Sequence, residues 1–396
     1  MAVDLPAFGQ DRIERELRAR VQDRWSRTNA PVRHVDVVLI VTTFALAGVG
    51  LLMIRSATFE RLAAQGLPTT FFVTRQTFAL GAAVVAGGIA AVWDYRHLRG
   101  YSPAIYALAI LLLVAVLTPF GTEANGAQRW IALPGGFNLQ PSEIAKLAVV
   151  IAVAALLHEA RGKPGFGSVV ATVALVGVPM GLVFLEPDLG TSIVFVWLAI
   201  VLLLVGGASF WHLGVLGATG IAAVVVGLQL EFIEDYQLER LTAFLDAGNP
   251  ELTQSLTFHT NQSLIAVGSG QLFGKGLYQG TQTNLAYVPE NHTDFIFTVV
   301  GEEFGFVGAV VVLALFGMII WRGLRIAVTA KDLFGTLLAS AIVSLLVLQV
   351  FVNVGMTIGI MPVTGIPLPF VSYGGTSLVT SFTLVGLLLN IHSRRF

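Results

Sequence analysis

The apolar positions of this chain are not spread in short stripes. They fill whole stretches of about 20 residues, the length at which a helix spans a hydrocarbon layer. From Val35 onward ten such stretches run at about 35–54, 71–92, 103–118, 142–158, 167–185, 189–206, 210–228, 294–321, 333–358 and 376–392, and each is predicted as a membrane-spanning helix. Two connections between them are too long to be simple turns. Residues 119–141 separate spans three and four, and residues 229–293 separate spans seven and eight. Connections of that length usually carry function. The larger one holds a helical pattern, Glu231-Phe-Ile-Glu-Asp-Tyr-Gln-Leu-Glu-Arg-Leu241, and a glycine-rich run from Gly268 to Gly276. A third connection, Met361-Pro-Val-Thr-Gly-Ile-Pro-Leu-Pro-Phe-Val-Ser-Tyr-Gly-Gly-Thr-Ser377, is broken by Pro and Gly, a composition tolerated at membrane depth only where the backbone lines a cavity.

Composition agrees with the pattern. Hydrophobic residues make up 55% of the 396 and charged residues 12%, too little polar surface to coat a soluble globule of this length. An all-α polytopic membrane protein remains. The absence of cysteine removes disulfides, thiolate catalysis and Cys-ligated metal, and a net charge of −1 argues against a nucleic-acid partner.

Charge divides the chain into a tail, residues 1–34, and a ten-span domain, residues 35–396. The tail concentrates seven Arg and five acidic residues, and Ile13, Leu17, Val21 and Trp25 recur along one face of a helix, an arrangement suited either to a lipid interface or to a solvated charged helix. No basic segment followed by a short apolar core and a cleavage site is read there, so the expectation is that no signal peptide is removed. With ten spans both termini lie on one side. That side collects 16 of the 23 basic residues, so the positive-inside rule assigns the termini to the cytoplasm.

Ionisable residues at membrane depth are costly and normally face a cavity or a partner. Glu143 and Lys146, three residues apart just inside span four, share a helix face, either as a working pair or as an ion pair that fixes packing. Arg129 beside Trp130 suits an anion site or an interfacial anchor. Lys275 between Gly274 and Gly276 offers a cation on permissive backbone, or simply a turn. Glu290, His292 and Asp294 fall within five residues at the mouth of span eight, where Asp294 serves as a general base or as a helix cap. His292, with no second histidine near, is read as a hydrogen-bonding group. In Glu186-Pro-Asp188-Leu-Gly-Thr-Ser192 the favoured reading is capping of span six. Gly301-Glu-Glu-Phe-Gly305 has small-residue spacing for helix packing, continued to Gly308.

Taken in order, Gly126-Ala-Gln-Arg-Trp-Ile131, Gln140-Pro-Ser-Glu143, Glu186-Pro-Asp-Leu-Gly-Thr-Ser192, Gly274-Lys-Gly276, Pro289-Glu-Asn-His-Thr-Asp-Phe-Ile-Phe297 and Val371-Ser-Tyr-Gly-Gly-Thr-Ser377 resemble the SEDS family of shape, elongation, division and sporulation proteins. Gly365-Ile-Pro-Leu-Pro-Phe370 and the final Ile391-His-Ser-Arg-Arg395 are more similar to its rod-shape, elongation branch than to its division branch. The chain departs from its relatives in the large connection, at Asp246-Ala247 and at Phe258-His-Thr-Asn-Gln262-Ser263.

The resemblance implies a multi-pass plasma-membrane enzyme of cell-wall biogenesis, a peptidoglycan glycosyltransferase that polymerises lipid II with inversion and releases undecaprenyl diphosphate. It implies a class B penicillin-binding protein as transpeptidase partner. Asp294 matches the family's essential acid, and Arg129, Glu143 and Lys146 match polar positions of its cavity, with Lys275 and His292 as further substrate-binding candidates. Positive charge for the leaving diphosphate would come from Arg129, Lys275 or a divalent cation such as Mg2+ or Mn2+; no organic cofactor is expected. The competing class is a transporter that flips the same lipid-linked precursor.

Overall fold

The computed structural model describes residues 35–124, 127–229, 256–285, 287 and 290–395. Its helices are α1 (Val37–Ala64), α2 (Phe71–Val92), α3 (Tyr95–Val116), α4 (Pro141–Glu159), α5 (Phe166–Leu185), α6 (Leu189–Val205), α7 (Phe210–Gln229), α8 (Leu256–Ser269), α9 (Thr281–Asn284), α10 (Ile296–Thr329), α11 (Leu333–Thr357) and α12 (Gly375–Ser393). Ten of them, all but α8 and α9, coincide with the ten apolar stretches. Eight are long and apolar enough to cross a membrane, and α6 and the apolar part of α7 are shorter. The tail, the helical pattern at 231–241 and the Asp246-Ala247 departure lie outside the described residues.

Helix ends follow local chemistry more closely than hydropathy. Apolarity stops near residue 54, yet α1 continues to Ala64 because its last turns are buried on one side, with Ser56 and Thr58 almost inaccessible. Helix α3 starts eight residues before the apolar stretch. Asp94 caps it, accepting from the Arg96 amide at 3.0 Å, a bond that satisfies an otherwise unpaired N–H. Asp332 caps α11 in the same way through Gly335 N at 2.7 Å.

Helices α4, α11 and α12 are buried over most of their length, while α2, α3, α5 and α10 present broad apolar faces outward. Outward-facing Val, Leu and Phe are the expected surface where the solvent is lipid. Helices α2 and α12 make the most extensive helix pair. Two glycines permit it, since a Cβ on Gly386 would stand 2.2 Å from the Gly87 carbonyl and one on Gly87 2.7 Å from the Phe382 carbonyl. Backbones approach this closely only through small residues.

One end of the bundle carries residues 36, 94–96, 322, 332 and 394, where acids and bases pair across elements. Arg322 meets Asp36 at 2.6 Å, Arg96 meets Asp332 at 3.3 Å and Arg394 meets Asp94 at 3.2 Å. The other end carries a three-stranded antiparallel sheet, β1 (Gly121–Ala124), β2 (Ala127–Leu133) and β3 (Phe137–Leu139), with Ile131 opposite Leu139. It folds the first of the long connections. Hydropathy gave no sign of it, because the strands are short and only partly buried.

The stretch from Gly301 to Gly308, expected to serve helix packing, is a break in α10. Gly305 adopts φ 64°, ψ −159°, a conformation open essentially to glycine alone. The break leaves carbonyls and amides of adjacent turns without helical partners, and the glycine-rich run supplies them. Lys275 N donates to Glu302 O and Gly276 N to Glu303 O, both at 3.0 Å, while Phe306 N and Val307 N donate to Gln271 O and Leu272 O at 2.8 and 3.0 Å. The fit is tight, for a Cβ on Gly305 would meet Gly274 N at 2.4 Å. Gly301 is likewise covered, by Val267. Gly301 thus packs against helix α8, in keeping with its small-residue spacing, whereas Gly305 faces the 272–274 backbone. Gly305→Ala should lower stability by about 1–3 kcal/mol through backbone strain alone, and more through the overlap. A parental melting temperature in detergent would contradict this account of the break.

Candidate functional site

Asp294 sits in the turn before α10 and is partly buried. Three consecutive carbonyls fix that turn. His292 O accepts from Tyr373 N at 2.9 Å, Thr293 O from the Ser372 hydroxyl at 2.6 Å, and Asp294 O from Asn353 Nδ2 at 2.8 Å. The same Asn353 amide donates to Ile366 O at 2.8 Å, and Gln76 of α2 bonds Ser372 O and Gly374 N, each at 3.2 Å. The Pro/Gly-broken connection between α11 and α12 is thereby stitched to the Asp294 turn, its backbone polar groups met by buried amide and hydroxyl side chains as an apolar surrounding demands. A Cβ on Gly365 would stand 3.4 Å from Asp294 Oδ2, so the broken connection passes directly beside the carboxylate. The capping position of α10 falls on Phe295, which makes no side-chain cap.

His292 packs against the rings of Phe72 and Tyr373, centroids 4.7 and 5.6 Å away, which also meet each other at 5.1 Å. Burial holds its imidazole below the ordinary range, Arg61 acts in the same direction and Glu290 opposes. The ring is neutral at pH 7.

Glu143 and Lys146 form an ion pair of 2.6 Å with side chains 4% and 2% exposed. Pro141 begins α4, and Glu143 in its first turn lies where the helix dipole favours a carboxylate. The start of α4 is tied to the start of α12, since Gln140 N donates to Thr376 Oγ1 at 3.2 Å and that hydroxyl donates to Asn138 O of β3 at 3.0 Å.

Arg129 reaches from β2 to the turn between α5 and α6. It donates to Glu186 O at 3.0 Å and, through Nη2, to Pro187 O. Two of its donors are thus occupied by backbone. Asp188 caps α6 through Thr191 N at 3.1 Å and Thr191 Oγ1 at 2.9 Å, the role expected from sequence. Glu186 is different, with neither carboxyl oxygen hydrogen-bonded. Burial pushes its pKa from 4.5 to about 8, Asp188 adds to the rise and Arg129 opposes it. Two residues past Asp188, Gly190 packs against the Thr364 carbonyl, 2.5 Å from where a Cβ would stand, which brings this turn against the segment beside Asp294.

Lys275 belongs to another group. Its ammonium meets Glu302 Oε1 at 2.8 Å and Thr281 Oγ1 at 2.7 Å. Glu302 also accepts from Gln282 N, Thr283 N and Thr283 Oγ1 at 2.8–3.0 Å, and Glu303 accepts from Ser56 Oγ at 2.5 Å. Both acids are fully buried. Sequence reasoning passed over them, although two adjacent carboxylates inside an apolar stretch were the signal. They anchor the 270–285 segment to α10. The structure therefore joins Asp294, His292, Arg129 and Glu186 through contiguous contacts, places Glu143 and Lys146 on a helix tied to the same end, and assigns Lys275 to the anchor of the α10 break.

Among the described residues no three His, Asp or Glu side chains converge as a metal cluster.

The fold and site define a polytopic helical membrane protein with a broken-helix polar site at one end. The family model described as "Cell cycle protein", covering FtsW, RodA and SpoVE, matches residues 37–395, and the chain belongs to that family. It is 39% identical over 362 residues to stage V sporulation protein E of Bacillus subtilis (90% of this chain, 96% of that one). Over 362 residues it is 38% identical to peptidoglycan glycosyltransferase MrdB of Escherichia coli K12 (91% and 94%). Over 369 residues it is 35% identical to the probable peptidoglycan glycosyltransferase FtsW of Geobacter sp. strain M18 (92% and 98%). Among solved structures it superposes with TM-score 0.74 and 30% identity on a chain described under "Structural coordination of polymerization and crosslinking by a peptidoglycan synthase complex" (92% and 99%). With TM-score 0.66 and 30% identity it superposes on the rod shape determining protein RodA of Thermus thermophilus (92% and 98%).

Lys146→Met should cost about 3–5 kcal/mol, because it strands the Glu143 carboxylate in a dry site. Adding Glu143→Gln should recover much of that loss, since the two changes share one interaction. Additive losses in thermal melting of the double variant would show that the pair does not act as a unit.

Proposed function

We propose that this chain polymerises lipid II during cell elongation. It is a peptidoglycan glycosyltransferase of its family, and membership of the elongation branch is supported by Gly365-Ile-Pro-Leu-Pro-Phe370 and Ile391-His-Ser-Arg-Arg395. Asp294 carries the reading of the site. Its backbone is locked by the bonds to three successive carbonyls, the α10 cap position falls on the next residue, and the broken connection runs past its carboxylate. In the proposed reaction Asp294 accepts the proton of the 4-hydroxyl on the acceptor's N-acetylglucosamine. That oxygen attacks the anomeric carbon of the donor's N-acetylmuramic acid, the bond to the diphosphate breaks, and the configuration inverts. Positioning the carboxylate in a partly dry site strengthens it as a base. Glu143 and Lys146, mutually neutralised, shape the floor beneath the glycan. Lys275 is committed to Glu302, which leaves Arg129's remaining donors, with Arg61 near His292 and Arg75 beside Tyr373, as the sources of positive charge.

The termini are assigned to the cytoplasm on the excess of basic residues at their end of the bundle. The paired charges there, Asp36–Arg322, Asp94–Arg394 and Asp332–Arg96, hold elements together. A carrier with alternating access calls for a polar cavity at that end, and one of about 620 Å³ lined by Arg99, His158, Glu159, Arg161 and Leu333 lies there, so the choice between polymerase and carrier rests on polymerisation and scrambling assays.

Asp294→Asn should abolish glycan-chain formation from purified lipid II while leaving melting temperature and lipid II binding near parental values. Loss of a general base typically costs ~10²- to 10⁴-fold. Polymerisation within a few-fold of the parent would sink the assignment. Recovery of the variant at raised Mg2+ or Mn2+ would instead give the carboxylate the role of cation ligand. Lipid scrambling by the parent in liposomes, without polymerisation, would favour the carrier.

The partner proposed is a class B penicillin-binding protein, supported by the likeness to a chain of a peptidoglycan synthase complex. Co-expression in mild detergent should yield a stable complex with the elongation transpeptidase. Preferential capture of the division transpeptidase would reassign the branch, and capture of neither, with no change in polymerisation rate on mixing, would remove the partnership.

A further inference from the structure

Glu186 is 1% exposed, and it is the one buried acid among the described residues whose two carboxyl oxygens both lack a hydrogen-bond partner. Other buried acids are used by the fold. Glu143 holds Lys146, Glu302 collects the 275–283 segment, and Asp36 and Asp188 cap helices. The guanidinium next to Glu186 is bonded to the carbonyls of the turn rather than to the carboxyl. A desolvated carboxyl that bonds nothing costs a few kcal/mol and contributes no compensating contact to folding. Its retention in a tightly built turn calls for a partner from outside the chain.

Other unpartnered buried atoms lie along the same contacts. Thr364 Oγ1 and Asn353 Oδ1 are both unpaired. Gly190, four residues from Glu186, packs on the Thr364 carbonyl, Gly365 abuts the Asp294 carboxylate, and Asn353 bonds Asp294 O and Ile366 O. The Glu186 turn and the Asp294 turn thus flank one short piece of the broken connection.

The donors and acceptors on offer select a ligand class. A protonated carboxyl presents one donor beside one acceptor, and a threonine hydroxyl presents the same pair. A diphosphate, rich in acceptors and negative charge, is poorly matched to that set; the hydroxyl and amide groups of an N-acetylated sugar match it. We infer that Glu186, with Thr364, forms a sugar-binding subsite that reads the uncharged hydroxyl and amide groups of the glycan substrate, apart from the groups that meet its diphosphate. The inference rests on the glycosyltransferase reading above.

The subsite works with Glu186 neutral. Around it, Asp188 on the same turn disfavours the ionised form and Arg129 from β2 favours it. The 361–372 part of the connection brings no titratable side chain, with Tyr373 following it, and α4 brings the Glu143–Lys146 ion pair in its first two turns, with His158 and Glu159 at its opposite end. With its pKa near 8, Glu186 keeps its proton at pH 7 and loses it above about pH 8, when a charged, donor-less carboxylate replaces the donor-acceptor pair.

The test is lipid II polymerisation by the full-length chain in detergent from pH 6.5 to 9.5, comparing the parent with Glu186→Gln and Glu186→Met, with undecaprenyl diphosphate as competing product. The parent's KM should rise several-fold above pH 8. Glu186→Gln, a neutral donor-acceptor side chain, should keep the parental KM at pH 7 within about threefold and lose that pH dependence. Glu186→Met should melt at or above the parental temperature, because an unsatisfied polar group is gone, yet raise KM about tenfold, the scale of one lost hydrogen bond. Inhibition by undecaprenyl diphosphate should be unchanged in both. A parental KM in Glu186→Met, a pH profile unaltered in Glu186→Gln, or inhibition weakened as much as KM would each overturn the subsite. Should Glu186→Met fail to purify as a monodisperse protein, the comparison of the parent with Glu186→Gln decides. Absence of polymerisation by the parent itself refutes the proposed function instead, so the two failures are distinct.

Discussion

Inside a hydrocarbon layer every backbone N–H and C=O must find its partner within the protein, and this structure departs from plain helix twice under that constraint. At Gly305 the α10 ladder is cut and the 271–276 backbone restores the lost bonds on both sides. Between α11 and α12 the chain runs without helix from residue 358 to 374, and Asn353, Gln76 and Ser372 stand in for the missing ladder. Both repairs use groups distant in sequence. The second holds the turn with Asp294, which precedes α10 and is bonded to the broken connection. The geometry around Asp294 is therefore a by-product of satisfying backbone where water is scarce.

Buried charge follows a similar economy of partners. Lys146 with Glu143, Lys275 with Glu302 and Arg322 with Asp36 are each neutralised within a few ångströms, which limits the desolvation cost that isolated ions would carry. Such pairs are expensive to break, and the two that join separate elements, Lys275–Glu302 and Arg322–Asp36, help set the distances between them. Arg129 does a related task with backbone acceptors, pinning the 186–188 turn to the small sheet. Against that background Glu186 stands out, a buried carboxyl with neither oxygen hydrogen-bonded.

Close backbone approach is the third theme, and glycine provides it at the points where elements must nearly touch. Gly87 and Gly386 bring α2 onto α12, Gly190 brings α6 onto the connection, and Gly305 admits the 272–274 backbone into the α10 break. A stripe of small residues in an apolar stretch reads the same way from sequence whether it receives another helix or a loop. In α10 it receives both, Val267 of helix α8 at Gly301 and the 272–274 backbone at Gly305.

The place of the ten apolar helices, eight of them long enough to span, was legible in the sequence, because hydropathy over about 20 residues is a local property fixed by composition. Glu143 and Lys146 were legible as a pair because i, i+3 spacing alone puts them on one helix face, and Asp188 as a cap because capping is local too. The motif order carried the resemblance to the family. Tertiary structure decided the rest. Lys275, a plausible anion ligand by its glycine neighbours, proved to be the counter-ion of Glu302, 27 residues away. The β-sheet, the Gly305 break and the isolation of Glu186 all depend on which distant backbone arrives beside a residue. No periodicity or spacing along the chain encodes that. A carboxylate in sequence has the same appearance whether folding gives it a lysine, a helix N-terminus or nothing at all, and its chemistry depends on which of these it meets.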